Sequence, residues 1–334
     1  MPRLMNTRIV IGNNLDPWRN LAMEEYLLED VKPKECILYL WQNQNTVVIG
    51  KNQNAWKECR IRLLESEGGK LARRSSGGGA VFHDTGNLNF SFLVDKGFYD
   101  ESRQLEVVLD AVNDMGIKAV FSGRNDLTVD GKKFSGNAFC FRKNSALHHG
   151  TILIAADMDK LTRYLEVPED KIRSKGIESI RSRVVNLREY YPKLDVPSMI
   201  QALIRNFGRV YGQTQDISYG EEGFDQNLLN KLNEKYKSWE WRFGESPKFD
   251  IELNTRFPWG GIHLGLELKQ GKISKAHIYS DAMDEALIEM IPDIIQGCLF
   301  NSPNIADSLA EVKVGAKRGE MLRDIADWIR SKGF

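Results

Sequence analysis

The stretch Arg73-Arg74-Ser75-Ser76-Gly77-Gly78-Gly79-Ala80-Val81-Phe82-His83-Asp84 sets two guanidinium groups, two hydroxyls and three glycines before a short apolar strand. A glycine run costs backbone entropy and packs no side chain. It suits a place where the chain turns sharply or comes close to a ligand. Its N–H groups can cradle an anion, and Arg73 and Arg74 can each grip a phosphate or carboxylate through two donors. A plain glycine turn beside two solvated arginines would use the same residues. No Gly-Lys-Ser/Thr follows the glycines and no G-x-G-x-x-G spacing opens a helix, so neither common nucleotide fingerprint applies.

Downstream, Leu88, Phe90, Phe92 and Val94 alternate with Asn87, Asn89 and Ser91, the period of a strand. His83-Asp84-Thr85-Gly86 reads as the turn between the short strand and this longer one. The anion site is therefore expected on a β-hairpin.

The chain of 334 residues can hold two domains, and its 46 basic and 46 acidic residues cancel. That balance leaves no electrostatic footprint for nucleic acid, apart from the locally basic stretch Lys171 to Arg188. Neither a signal-peptide core nor a membrane-length apolar run is present, which predicts a cytoplasmic protein without a membrane partner. Cys36, Cys59, Cys140 and Cys298 are scattered, as befits reduced thiols.

Helices are expected over Asp16–Val31, Arg103–Met115, Met158–Glu166, Pro197–Tyr211 and Asp225–Tyr236. Strands are expected over Ile37–Trp41, Thr46–Ile49 and Ala146–Ile154, with a tight Asp130-Gly131 turn joining Leu127-Thr128-Val129 to Lys132-Lys133-Phe134. The segment Trp239 to Pro247 breaks the pattern. A hairpin (Ile262–Leu268, Ile273–Tyr279) and helices follow, so the boundaries read as 1–246 and 248–334.

Lys133 is a second focus, because Ser135-Gly136 leaves room beside its strand. A lysine next to a turn is also an ordinary solvated residue. Asn125 and Asp126 look like turn residues first, although an aspartate beside a phosphate could hold magnesium. His148 and His149 are adjacent in a strand and so point to opposite faces. They do not form a two-histidine metal pair, and His149 reads as a strand residue with a satisfied hydrogen bond.

Taken in order, the Arg-Arg-Ser-Ser-Gly-Gly-Gly stretch, Ser122-Gly123-Arg124-Asn125-Asp126, Lys132-Lys133-Phe134-Ser135-Gly136-Asn137-Ala138 and His148-His149-Gly150-Thr151 resemble the lipoate–protein ligases. The early Asp16-Pro17-Trp18 to Glu25 segment and Phe257-Pro258-Trp259-Gly260-Gly261 fit the same family. The resemblance implies an α+β fold. Its catalytic domain is like those of class II aminoacyl-tRNA synthetases and biotin–protein ligases, with a small α+β C-terminal accessory domain. It implies that ATP and lipoate give lipoyl-AMP, and that the lipoyl group then passes to a lysine of a carrier. The carriers are the acyltransferase subunits of 2-oxoacid dehydrogenase complexes and the glycine-cleavage carrier protein. Carried over, Arg74, Gly79, Ala80, Val81 and Phe82 contact ATP, with Gly77 and Gly78 in the same binding loop, and Arg73 lies beside the phosphate and acyl ends. Lys133, the catalytic residue, contacts both substrates, Asn125 and Asp126 lie near the nucleotide or its magnesium, and His149 belongs to the same binding set. The rival within the fold is an ATP-independent octanoyl- or lipoyltransferase with a cysteine thioester. Its cysteine would stand shortly before a His-Gly, where this chain reads Ala146-Leu147-His148-His149-Gly150.

Overall fold

The computed structural model describes residues 6–122, 125–165, 183–212, 216–243, 250–269 and 271–334. Most of the basic stretch (171–182), Gly123, Arg124 and the expected boundary at 246–248 lie outside them. The chain divides into two compact units. One comprises Met1–Ile49, Ala55–Arg74 and Ala80–Arg242, and the other Gly50–Asn54, Ser75–Gly79 and Phe243–Phe334.

The first unit is built on an eight-stranded sheet. In chain order its strands are β1 (Asn6–Ile11), β2 (Glu35–Trp41), β6 (Asn87–Asp95), β7 (Ala119–Phe121), β8 (Asp126–Val129), β9 (Lys132–Phe141), β10 (Ser145–Leu153) and β11 (Ile217–Tyr219). Their spatial order is β11-β1-β2-β6-β10-β9-β8-β7. A three-stranded sheet, β4-β3-β5, holds β3 (Thr46–Ile49), β4 (Lys70–Arg73) and β5 (Val81–His83).

Side-chain alternation gives the large sheet two buried faces. Leu38, Leu40, Leu88, Phe90 and Phe92 pack with the helices Glu101–Asn113 and Val196–Tyr211 through Val108, Val112, Leu203 and Phe207. Ile37, Tyr39, Trp41, Leu93 and Leu147 pack with the helices Pro17–Asp30 and Gln226–Lys237. Local chemistry starts these helices where the sequence predicts. Asp16 caps Trp18 N with Pro17 in the first turn, and Asp225 caps Asn227 and Leu228.

One expectation fails. His83 to Gly86 does not close a hairpin, because β5 pairs with β3 whereas β6 pairs with β2 and β10. The turn passes the chain from one sheet to another. The alternation of β6 is real, but its partners are strands distant in sequence. The strands β1, β4, β7 and β11 also carry too few residues or too mixed a pattern to have been read in advance.

The second unit has an antiparallel sheet, β12 (Ile251–Phe257), β13 (Gly260–Lys269) and β14 (Lys272–Ser280), in sequence order. Leu264, Leu266 and Ile273 form its core with Leu287, Ile288 and Ile291 of helix Glu285–Ile295. Ile305 of helix Ser302–Ala310 and Ile325 of helix Ala316–Lys332 complete it. β12 is an addition to the expected hairpin.

The glycine run belongs to this second unit. A Cβ on Gly77 would meet the carbonyl oxygens of Ala282 at 2.6 Å and Met283 at 2.9 Å, so only glycine fits. Gly78 has φ +88 and donates N–H to Ala282 O at 3.3 Å. A Cβ on Gly79 would have open space. Two of the three glycines are thus accounted for by this chain's own backbone.

Candidate active site

A β-bulge decides where Lys133 points. Leu127 pairs with Ser135 and Thr128 pairs with Lys133, leaving Phe134 as the extra residue in β9. Without it Lys133 and Ser135 would share a face. With it, Lys133 joins the face of Gly136 and Asp126, which are themselves paired. Lys133 Nζ lies 2.7 Å from Asp126 Oδ1, with both side chains about one-third exposed. That oxygen is buried, so the ion pair is partly shielded from solvent. The lysine backbone is held on its other edge, donating to Arg183 O at 2.7 Å and accepting from Val185 N at 2.9 Å.

Asn125 is tied to the same strand. Its O accepts from Asn137 N at 2.9 Å, and its Nδ2 donates to Asn137 O at 3.3 Å. Among the described residues no cluster of three metal-ligating side chains exists. Asp126 is still compatible with magnesium, which often takes one carboxylate together with substrate phosphates and water.

His149 stands on the same sheet face as Gly136, opposite Ala138 and Ser91. Its Nδ1 is 2.8 Å from Glu24 Oε1, which also accepts from Ser91 Oγ at 2.6 Å. Ser91 Oγ in turn accepts from Trp41 Nε1 at 3.0 Å. Glu24 is 2 % exposed and enters from helix Pro17–Asp30. The sequence reading missed it, although its spacing from Leu21 and Leu28 places a carboxylate on the apolar stripe. His148 points the opposite way, its two ring nitrogens each 2.9 Å from a side-chain amide, those of Gln104 and Asn137. Burial holds it neutral, with its pKa lowered to about 3.

The two arginines differ. Arg73, on β4, donates from Nε to Trp241 O at 2.9 Å and from Nη2 to Arg242 O at 2.8 Å, and Trp241 Nε1 returns a bond to Arg73 O at 2.8 Å. Arg74 is 7 % exposed, and its N donates to Ile49 O at 3.0 Å. Its charge acts on His83, whose pKa is lowered to about 3 by burial first, then by Arg74 and His149. Val81 pairs with Val48, and Phe82 is buried with its ring 5.6 Å from that of Tyr164. The structure thus gathers Lys133, Asp126 and His149 on one sheet with Asn125 just before β8, and Arg73, Val81 and Phe82 on a second with Arg74 just past β4. Ala80 opens the latter stretch.

A two-faced α+β sheet thus carries a bulge-directed lysine and a buried carboxylate–histidine pair, and a small α+β unit follows it in the chain. Residues 16–208 match the lipoyl protein ligase A/B catalytic domain, and residues 246–329 match the bacterial lipoate protein ligase C-terminus. The chain belongs to the lipoate–protein ligase family. It is similar to P. falciparum LipL1, solved in complex with lipoate, at 31% identity over 98% of this chain and 100% of that one, with a TM-score of 0.83. A bi-partite lipoate protein ligase of Thermoplasma acidophilum, described with its E2 lipoyl domain, is 29% identical over 74% of this chain and 100% of that one, with a TM-score of 0.64. A lipoate-protein ligase A bound with ATP is 26% identical over 72% and 99%, with a TM-score of 0.61. Among the described residues, no helix is long and apolar enough to cross a membrane.

Proposed function

We propose that this chain uses ATP to activate lipoate and then lipoylates a lysine of carrier domains. The carriers are acyltransferase subunits of 2-oxoacid dehydrogenase complexes or the glycine-cleavage carrier protein. Residues 1–246 serve as the catalytic domain and 248–334 as the accessory domain. The observation that carries the reading is the bulge at Phe134, which turns Lys133 over Gly136 and against Asp126.

In the first step a lipoate carboxylate oxygen attacks the α-phosphorus of ATP, and the bond to pyrophosphate breaks. Carboxylate and polyphosphate repel each other. A cation between them lets them approach and stabilises the charge that develops on the phosphoryl oxygens. Lys133 supplies that cation, while Arg74 and the 79–82 stretch hold the nucleotide and Arg73 borders the phosphate and acyl ends. Asp126, beside Asn125, is the carboxylate that would hold magnesium, whose positive charge would offset that of the phosphates. In the second step the carrier amine attacks the acyl carbonyl, AMP leaves, and the amine loses a proton. The mixed anhydride is already activated, so no enzyme nucleophile is required. The reaction is placed in the cytoplasm, where scattered thiols stay reduced.

The thioester alternative needs an accessible thiolate. Cys140 is 1 % exposed and packs in the core that includes Leu93 and Leu147. The test is to incubate the protein with lipoate and ATP, with and without purified carrier domains. Pyrophosphate release and a noncovalent lipoyl-AMP complex in native mass spectrometry are expected. A covalent acyl adduct formed without ATP would overturn the reading.

A further inference from the structure

His83 sits at the end of a relay that fixes its proton. Asn20 Nδ2 faces two backbone carbonyls, Asn14 O at 3.0 Å and Gln42 O at 2.7 Å, so this atom is the amide nitrogen. Its two hydrogens are shared among these carbonyls and Asn43 Oδ1 at 2.9 Å, while Asn20 Oδ1 accepts from Tyr39 OH at 3.2 Å. The atom of Asn43 that faces His83 is therefore Nδ2, a donor, 3.1 Å from His83 Nδ1. A donor on Nδ1 makes that nitrogen the acceptor of the neutral ring. The hydrogen then resides on Nε2, which is buried and has no hydrogen-bond partner among the described residues.

An N–H oriented by three buried side chains and unpaired among the described residues is costly unless something else accepts from it. Its surroundings are those of the proposed active site. The ring meets Trp41 edge-on at 6.3 Å, and Trp41 leads through Ser91 and Glu24 to His149. Asn89, paired with Trp41 across β2 and β6, also keeps a buried Nδ2 without a partner among the described residues. Two donors thus flank one indole on the face that carries Lys133.

We propose that His83 is a substrate-contacting residue whose Nε2–H donates to an anionic oxygen of the adenylation reaction, on either the acyl carboxylate or a nucleotide phosphate. The inference rests on the ligase reading. A neutral donor here adds hydrogen bonding near Arg74 and His149 without adding a further charge. The Asn20–Asn43 relay acts as its positioning shell.

The first test is long-range proton–nitrogen NMR of the wild-type ring, alone, with lipoate, and with a non-hydrolysable ATP analogue. The expected result is an Nε2–H tautomer whose proton moves downfield with one ligand, which identifies the acceptor. An Nδ1–H tautomer, or an Nε2–H signal unmoved by both ligands, overturns the proposal. The second test is adenylation. His83→Ala should lose about a hundredfold in rate, and His83→Gln, which keeps a donor near the same point, should recover most of it. Equal loss in both variants, or wild-type rates in His83→Ala, would show packing alone. Wild-type protein serves as the control: if it forms no lipoyl-AMP, the ligase reading fails, while the NMR result still decides the role of His83.

Discussion

Lys133 lies across Gly136. A Cβ at position 136 would come within 2.7 Å of the lysine Nζ and 2.8 Å of its Cε. The glycine is therefore required by the lysine's path. The first prediction concerns Gly136→Val. Valine suits a strand, and Gly136 does not have positive φ, so the backbone should accept the change. The side chain would instead push Nζ away from Asp126. Adenylation should fall tenfold or more, with a melting temperature close to the wild type's. A variant with full activity would show that Lys133 need not occupy this position.

Removing the charge itself should cost more. Lys133→Ala is expected to reduce lipoyl-AMP formation about a hundredfold, the equivalent of ~3 kcal/mol of transition-state stabilisation. The fold should persist, because the side chain is partly exposed and its backbone bonds to Arg183 and Val185 do not involve it. Pyrophosphate release measured beside a circular-dichroism melt checks both points. Near-normal turnover would remove Lys133 from the chemistry.

Cys140→Ser separates ligase from transferase. The thiol is buried, so the serine hydroxyl should lower stability by on the order of 1 kcal/mol. Activity read well below the melting temperature should be largely retained. A folded but inactive serine variant would favour a thioester mechanism.

Two buried histidines make stability depend on pH. His83 and His148 each have a folded pKa lowered to about 3, against an ordinary value near 6.5. The unfolded chain therefore binds protons that the folded chain refuses. The stabilisation is complete above about pH 6.5 and is lost as pH falls toward 3, at about 1.4 kcal/mol per pH unit per histidine. Replacing His148 by glutamine should flatten the decline in melting temperature between pH 6.5 and 4.5, whatever its effect at neutral pH. An unchanged slope would mean that the ring is protonated in the folded state.

The sequence by itself determined the local elements and the chemical vocabulary. Asp16 with Pro17 starts one helix and Asp225 another. The alternation from Asn87 to Val94 is a strand, and Asp130-Gly131 is a tight turn between β8 and β9, with both residues at positive φ. These features depend on residues within a few positions of each other, so period and capping reveal them. The motif residues Arg73, Arg74, Lys133, Asn125 and Asp126 were visible in short contiguous motifs, and the resemblance that those motifs carry implied their roles. Tertiary structure decided which strands pair and which side chains meet. β5 left β6 for β3 because pairing is set by burial across the whole sheet. One extra residue at Phe134 reversed the facing of Lys133, which a period-two reading carries past unnoticed. Glu24 met His149 across 125 positions of chain, and Asn20, Asn43 and His83 formed a relay, because a buried polar group must find partners wherever the fold brings them.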